Sequence, residues 1–192
     1  MEAKSEQYKG HSIVIEYDQN PDNPRNWDNL CEFHYQSSRY LLGDHHHTDR
    51  ESINEMLTEA RKQGDMIFSY YAYIHSGVTI SMGSFYGRLP QGHAEFDSGQ
   101  CGFIVVRRKK MLEEFGGKKW TRKLKERAEK AAQAELEEFD NYLRGEIYGY
   151  IIDEDEDGHS CWGYFSIEDA MTEAKSIVDH IVDKAKRNIM IS

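Results

Sequence analysis

The chain has 192 residues, which suits one domain, or one domain with a small appendage, and is enough to bury a core without disulfide or metal staples. Lysine and arginine number 24 against 34 aspartates and glutamates, a formal charge of −10 that opposes non-specific nucleic-acid binding and favours basic partners. Three distant cysteines (Cys31, Cys101 and Cys161) without any CxxC suggest neither a zinc knuckle nor a thioredoxin site, and no apolar run of about 18 residues is present to span a membrane.

Residues 1–10 are polar and lack the apolar run of a signal peptide, so a cytoplasmic location with free thiols is expected. Charge is unevenly spread. Residues 107–130 are strongly basic, and residues 153–157 are an unbroken acidic run.

Ile13-Val14-Ile15 marks a short strand over residues 11–17. Residues 18–30 read as coil, because Pro21, Pro24 and four asparagines favour turns. Residues 31–42 alternate aromatic and polar types without a clear period. Ile53, Met56, Leu57 and Ala60 give one apolar face to a helix over about 51–62, capped by Thr48 or Asp49.

The aromatic and β-branched runs 66–74 and 78–82 flank Ser76-Gly77 and predict a hairpin. Large side chains on both faces of 66–74 predict a strand covered on both sides. Residues 83–100 predict a loop of about 18 residues, long enough to suggest a function. Strand 101–106 follows, then a short helix over 109–115.

Trp120, Leu124, Ala128, Ala132, Leu136, Phe139 and Leu143 recur at helical spacing, with Thr121 as cap and Gly145 as stop. This helix is basic first and acidic last, against its dipole. Strands 147–152 and 160–165 form a hairpin around the acidic run. Ser166 caps a last helix to about residue 187, whose apolar stripe is long enough to serve a homodimer as well as a core. The expectation is one α+β domain over 1–192: a mostly antiparallel sheet of about six strands against three or four helices.

Gly43-Asp44-His45-His46-His47-Thr48-Asp49 is the densest group of metal-ligand types. Three adjacent histidines cannot all face one ion in a regular element, so at most two converge, with Asp44. His34 and Asp28 lie upstream, and His75 and Asp97 lie downstream. The candidate divalent-metal set is Asp44, His46, His75 and Asp97.

His75-Ser76 lacks the GxSxG of a nucleophile elbow and reads as a turn. Cys101 as a nucleophile requires a base such as His75 or His93 beside it. Tyr148, Tyr150 and Trp162 could line an aromatic pocket, with core packing the simpler reading. Lys118, Lys119, Arg122, Lys123, Lys125 and Arg127 could meet phosphates, or simply form a solvated face. No Walker, dinucleotide, zinc-finger or zincin motif is present.

Six strings together carry a likeness: Asn23-Pro24-Arg25-Asn26-Trp27-Asp28-Asn29-Leu30, Tyr40-Leu41-Leu42-Gly43-Asp44, His75-Ser76-Gly77-Val78-Thr79-Ile80-Ser81, Asp97-Ser98-Gly99-Gln100-Cys101-Gly102-Phe103-Ile104, Tyr142-Leu143-Arg144-Gly145-Glu146-Ile147-Tyr148-Gly149-Tyr150 and Ser160-Cys161-Trp162-Gly163. Across about residues 20–165 the chain resembles a family of small uncharacterised proteins of bacteriophages and related mobile elements. It departs from that family at Phe96, where a tryptophan is expected, and in a longer segment ahead of Asp97.

No residue role is carried over. The resemblance implies a phage accessory protein that binds a host protein in the host cytoplasm and inhibits host defence. The run Asp153, Glu154, Asp155, Glu156 and Asp157 is then the expected contact, and direct binding of nucleic acid is not expected. The alternative is a small metal-dependent hydrolase or nuclease. An enzyme must gather its polar side chains in one place, whereas an inhibitor needs only a broad surface.

Overall fold

Alternation on the strands and three-to-four spacing on the helices assign each side chain to a face, and the faces sort into two separate cores. The computed structural model describes residues 1–37, 39–89, 96–153 and 158–191, with backbone alone over 188–191. Among them are nine strands and four α-helices in two compact units, Met1–Asp22 with Gly145–Ser192, and Asn23–Arg144. The fold is α+β, as expected.

The unit made from both ends of the chain has a four-stranded antiparallel sheet in the order β1-β2-β8-β9. Its strands are β1 (Glu2–Tyr8), β2 (His11–Tyr17), β8 (Tyr148–Ile152) and β9 (His159–Tyr164). Lys9 and Gly10, both at positive φ, make the two-residue turn between β1 and β2.

Ile13 and Ile15 of β2 and Tyr148, Tyr150 and Ile152 of β8 point to one face. There α4 (Ile167–Ile191) lays Ala170, Met171, Ala174 and Val178 over them. Ser166 caps α4 by accepting from the Asp169 amide at 3.0 Å, while its hydroxyl donates to the Asp169 carboxylate at 2.7 Å.

The inner unit holds a five-stranded sheet in the order β4-β3-β7-β5-β6. These strands are β3 (Cys31–Tyr35), β4 (His45–His46), β5 (Met66–Ile74), β6 (Val78–Ser81) and β7 (Ser98–Val106). Three helices accompany it, α1 (Arg50–Gln63), α2 (Arg108–Phe115) and α3 (Arg122–Arg144).

Cys31, Phe33, Tyr70, Ile104 and Val106 face the stripe of Leu124, Ala128, Ala132, Leu136 and Phe139 on α3. The two alanines let the helix approach the sheet closely. A Cβ on Gly102 would collide with the His34 carbonyl oxygen and sit 2.7 Å from the ring of Tyr70, a fully buried tyrosine whose hydroxyl donates to the Leu42 carbonyl at 2.7 Å. α1 is capped by Asp49, whose carboxylate accepts from the Ser52 amide at 2.7 Å, and buries Ile53, Leu57 and Ala60.

Several expectations are corrected. Nine strands in two sheets replace about six in one. β1 was missed because Glu2, Lys4, Ser5, Glu6 and Gln7 give it no apolar alternation. It is an edge strand, and its polar side chains belong to that edge. β4 has only two residues, too few to show a period.

The middle strand of the inner sheet is β7, although β5 does have a neighbour on each side. The expected loop 83–100 ends early, since Ser98, Gly99 and Gln100 are already in β7. They pair with Tyr73, Ala72 and Tyr71 beyond a bulge at Tyr70/Tyr71. Residues 90–95 lie outside the described residues. No helix among the described residues is long and apolar enough to cross a membrane.

Candidate metal site

The site grows from the alternation of β3. With Cys31, Phe33 and Tyr35 turned to the α3 core, Glu32 and His34 emerge on the opposite face. Gly43 then brings the chain back against β3. A Cβ there would lie 2.7 Å from the Phe33 Cβ and carbonyl oxygen, so only glycine fits. The Asp44 amide donates to the Phe33 carbonyl at 2.8 Å and starts a short parallel pairing of His34 with His45 and Tyr35 with His46.

This register brings the His34 and His45 imidazoles to 4.7 Å between centroids, tilted by 30°. It sends His46 to the other face, against Tyr35 at 5.1 Å. One ligand atom each from Glu32, His34 and His45 all lie within 4.8 Å of one another.

Hydrogen bonds around this trio fix its chemistry. The Ser52 hydroxyl donates to the Asp49 carbonyl at 3.2 Å, so its oxygen accepts from His47 Nδ1 at 3.0 Å. Burial lowers the His47 pKa below its ordinary value, and repulsion from His34 and His45 adds to this, which keeps the ring neutral and leaves a lone pair on Nε2. That nitrogen accepts from His34 Nδ1 at 3.0 Å.

His34 is 5% exposed, and its Nδ1–H is therefore committed. Its Nε2 faces Glu32 Oε2 at 3.3 Å. Burial works against ionisation of Glu32, but hydrogen bonds from His34 and Arg107 and the arginine's charge outweigh it and bring the pKa down to about 2. Arg107 donates to Glu32 Oε2 from Nε at 2.9 Å and from its terminal nitrogen at 2.5 Å, and also to Asp65 at 3.0 Å. At that distance His34 Nε2 and Glu32 are joined by the histidine's proton, whose place a divalent cation would take. Glu32 also borders an open cleft of about 570 Å³ whose walls include Arg107, Arg108, Lys109 and Lys110.

The set expected from sequence is not gathered in one place. Asp44 is consumed by structure. Its carboxylate accepts from Arg25 Nε at 2.9 Å, from a second Arg25 nitrogen at 2.8 Å and from the Phe33 amide at 2.8 Å. Arg25 continues to Glu135 at 2.9 Å and lies 4.0 Å over the Phe33 ring. The burial of Arg25 lowers its pKa, but the bonds to Asp44 and Glu135 outweigh that and raise it.

His75 pairs instead with Asp97 at 2.9 Å, in the hairpin beyond β5, while Asp44 and His46 belong to the β4 edge of the same sheet. Asp28 is bound by Lys110 at 2.7 Å. Of the trio, the sequence points to His45 within the histidine run and to His34 as an upstream neighbour, and does not point to Glu32. The Glu32-x-His34 alternation was the available signal, hidden by the unclear period of residues 31–42.

The aromatic pocket is also corrected. Tyr148 and Tyr150 face α4, whereas Trp162 pairs across from Gly149 on the other face of that sheet and is 44% exposed. Its indole lies over Gly149, where any Cβ would collide with it.

Cys101 is buried, and burial pushes its thiol up to about 12, which argues against a nucleophile. Of the acidic run, Asp153 is tied to His11 at 2.6 Å and to the Ser12 amide at 2.8 Å, and residues 154–157 lie outside the described residues. No protein-family profile, curated protein or solved structure matches the chain.

Proposed function

We propose that the inner unit is a divalent-metal domain in which Glu32, His34 and His45 hold the ion, and that this ion supports hydrolysis. One observation carries the reading. The chain Asp49–Ser52–His47–His34 consumes the Nδ1–H of a buried histidine and aims its remaining nitrogen at an ionised carboxylate beside a second imidazole. Metal-binding histidines are typically held in this way, by a hydrogen bond from the ring nitrogen that does not bind. Two imidazoles and a carboxylate suit zinc, manganese or iron and leave positions for water and substrate, and a divalent ion there acidifies its bound water. Both Arg107 bonds to Glu32 go to Oε2, the oxygen that also faces His34, so Oε1 is the atom left for an ion.

The test is ion content and affinity. Protein stripped with chelator is titrated with zinc, manganese and cobalt, and the bound ion is quantified by elemental mass spectrometry. Wild type is expected to take one ion per chain. His45→Ala, whose side chain is exposed, is expected to lose it without loss of folding, as is Glu32→Gln. Ion-free wild type, or equal uptake in both variants, would overturn the reading.

The rival expectation, binding of a host protein, rests on net charge and on the family resemblance. No described feature adds to that support.

A further inference from the structure

A second cleft in the inner unit lies where α2 hands over to α3. It measures about 380 Å³, and its walls include Lys118, Lys119, Lys123 and Arg127 above a floor of Phe115 and Leu124. No acidic side chain lines it. None of the four cations makes an ion pair or hydrogen bond with another described side chain. Glu126, which precedes Arg127 on α3, is engaged by Arg122 at 2.9 Å.

Four cations without an ion-pair partner crowd one hollow and repel one another. Their placement also opposes α3. The helix carries Arg122, Lys123, Lys125 and Arg127 in its first turns and Glu135, Glu137, Glu138 and Asp140 towards its end, the reverse of what its dipole favours. Proteins tolerate such locally unfavourable arrangements at functional sites.

The floor narrows the ligand. Phe115 is 41% exposed, and the Arg127 guanidinium lies over its ring at 5.1 Å, giving a cationic and aromatic plate beside the lysines. Gly116 and Gly117, both at positive φ, carry the chain around the cleft without side chains that would fill it. The volume lies at the small end of small-molecule sites.

We propose that this cleft binds a nucleoside polyphosphate. The phosphates sit among Lys118, Lys119 and Lys123, and the base stacks on the Phe115–Arg127 plate. The proposal stands apart from the metal reading, because it uses none of Glu32, His34 or His45.

Binding of ATP, tripolyphosphate and adenosine is measured by calorimetry with chelator present, on wild type and on Lys118→Glu/Lys123→Glu, Phe115→Ala and His45→Ala. All four altered positions are exposed, so each variant is expected to keep the wild-type melting temperature. ATP is expected to bind in the micromolar range, tripolyphosphate roughly tenfold more weakly, and adenosine not measurably. The double lysine variant is expected to lose binding of both phosphate ligands. Phe115→Ala should weaken ATP to the level of tripolyphosphate, and His45→Ala should change nothing.

No ATP binding up to millimolar concentration, or an ATP affinity indifferent to the lysine reversals, would overturn the proposal. Equal affinity for ATP and tripolyphosphate in wild type would overturn the nucleoside part. Loss of ATP binding in His45→Ala would overturn the independence of the two sites.

Discussion

Arg25 shows how one side chain can organise a core while looking ordinary in sequence. Its guanidinium is 4% exposed and joins the loop before β3 to Asp44, to Glu135 on α3 and to the Cys31 carbonyl. Removing one member of such a buried network strands the others, which costs about 3–5 kcal/mol. Arg25→Ala is therefore expected to lower the denaturation midpoint severely. Asp44→Ala should destabilise in the same way while leaving ion uptake at one per chain, which separates its structural role from the ligand role the sequence suggested. The sequence could not show this, because burial and partners, not residue type, decide whether an aspartate binds an ion or an arginine. The thiols follow the same logic. Cys31 and Cys101 are buried and burial raises both pKa values, whereas Cys161 is exposed. Iodoacetamide at neutral pH is expected to alkylate Cys161 alone in native protein and all three in denaturant. Native labelling of Cys101, read by peptide mass, would contradict its burial.

The elements most legible in the sequence were those with a long period and explicit ends. α3 and α4 announce themselves by apolar stripes and by Thr121 and Ser166, and the structure uses both as caps. Strands were legible only where one face is apolar. β2 and β8 satisfy that, β1 does not, and β3 mixes a buried histidine with aromatics, so the face carrying the candidate metal trio was the hardest to see. The join of β8 to β2 carries a pH dependence. Asp153 sits at φ +45° just past β8 and receives His11 and the Ser12 amide, which hold its carboxyl below the ordinary 3.8. A depressed folded pKa means that the unfolded chain takes up the proton first. The stabilisation is thus complete above about 3.8 and is lost as pH falls through the folded value. Asp153→Asn tolerates the positive φ but cannot ionise. Its stability deficit against wild type, from urea midpoints, is expected to be clear at pH 6 and to shrink towards zero below pH 3. A deficit independent of pH would show that the bond to His11 does not depend on charge.

At the scale of the whole molecule, chain order and architecture diverge. The inner unit is one continuous stretch, Asn23–Arg144, and owns its sheet, its helices and both candidate sites. The other unit is split. β2 pairs with β8 across a gap of more than a hundred residues, and the Ile13 and Ile15 side chains that cover α4 come from the far end of the chain. Local contacts close cheaply, whereas pairings this distant in sequence close slowly. The two units should therefore differ sharply when the chain is cut. A fragment of residues 23–144 is expected to fold alone, with a cooperative thermal transition by circular dichroism and dispersed amide resonances. It should also retain one ion per chain and the ATP affinity of the full protein. A fragment of residues 145–192 lacks β1 and β2, so β8 loses its neighbouring strand and α4 loses the cover of Ile13 and Ile15, and it should show neither cooperativity nor dispersion. Adding a peptide of residues 1–22 should restore both, because that segment supplies the missing half of the sheet and the isoleucines of its core. A fragment 145–192 that folds unaided would mean that α4 and the β8–β9 hairpin suffice, and that β2 is an addition to the core and not its centre.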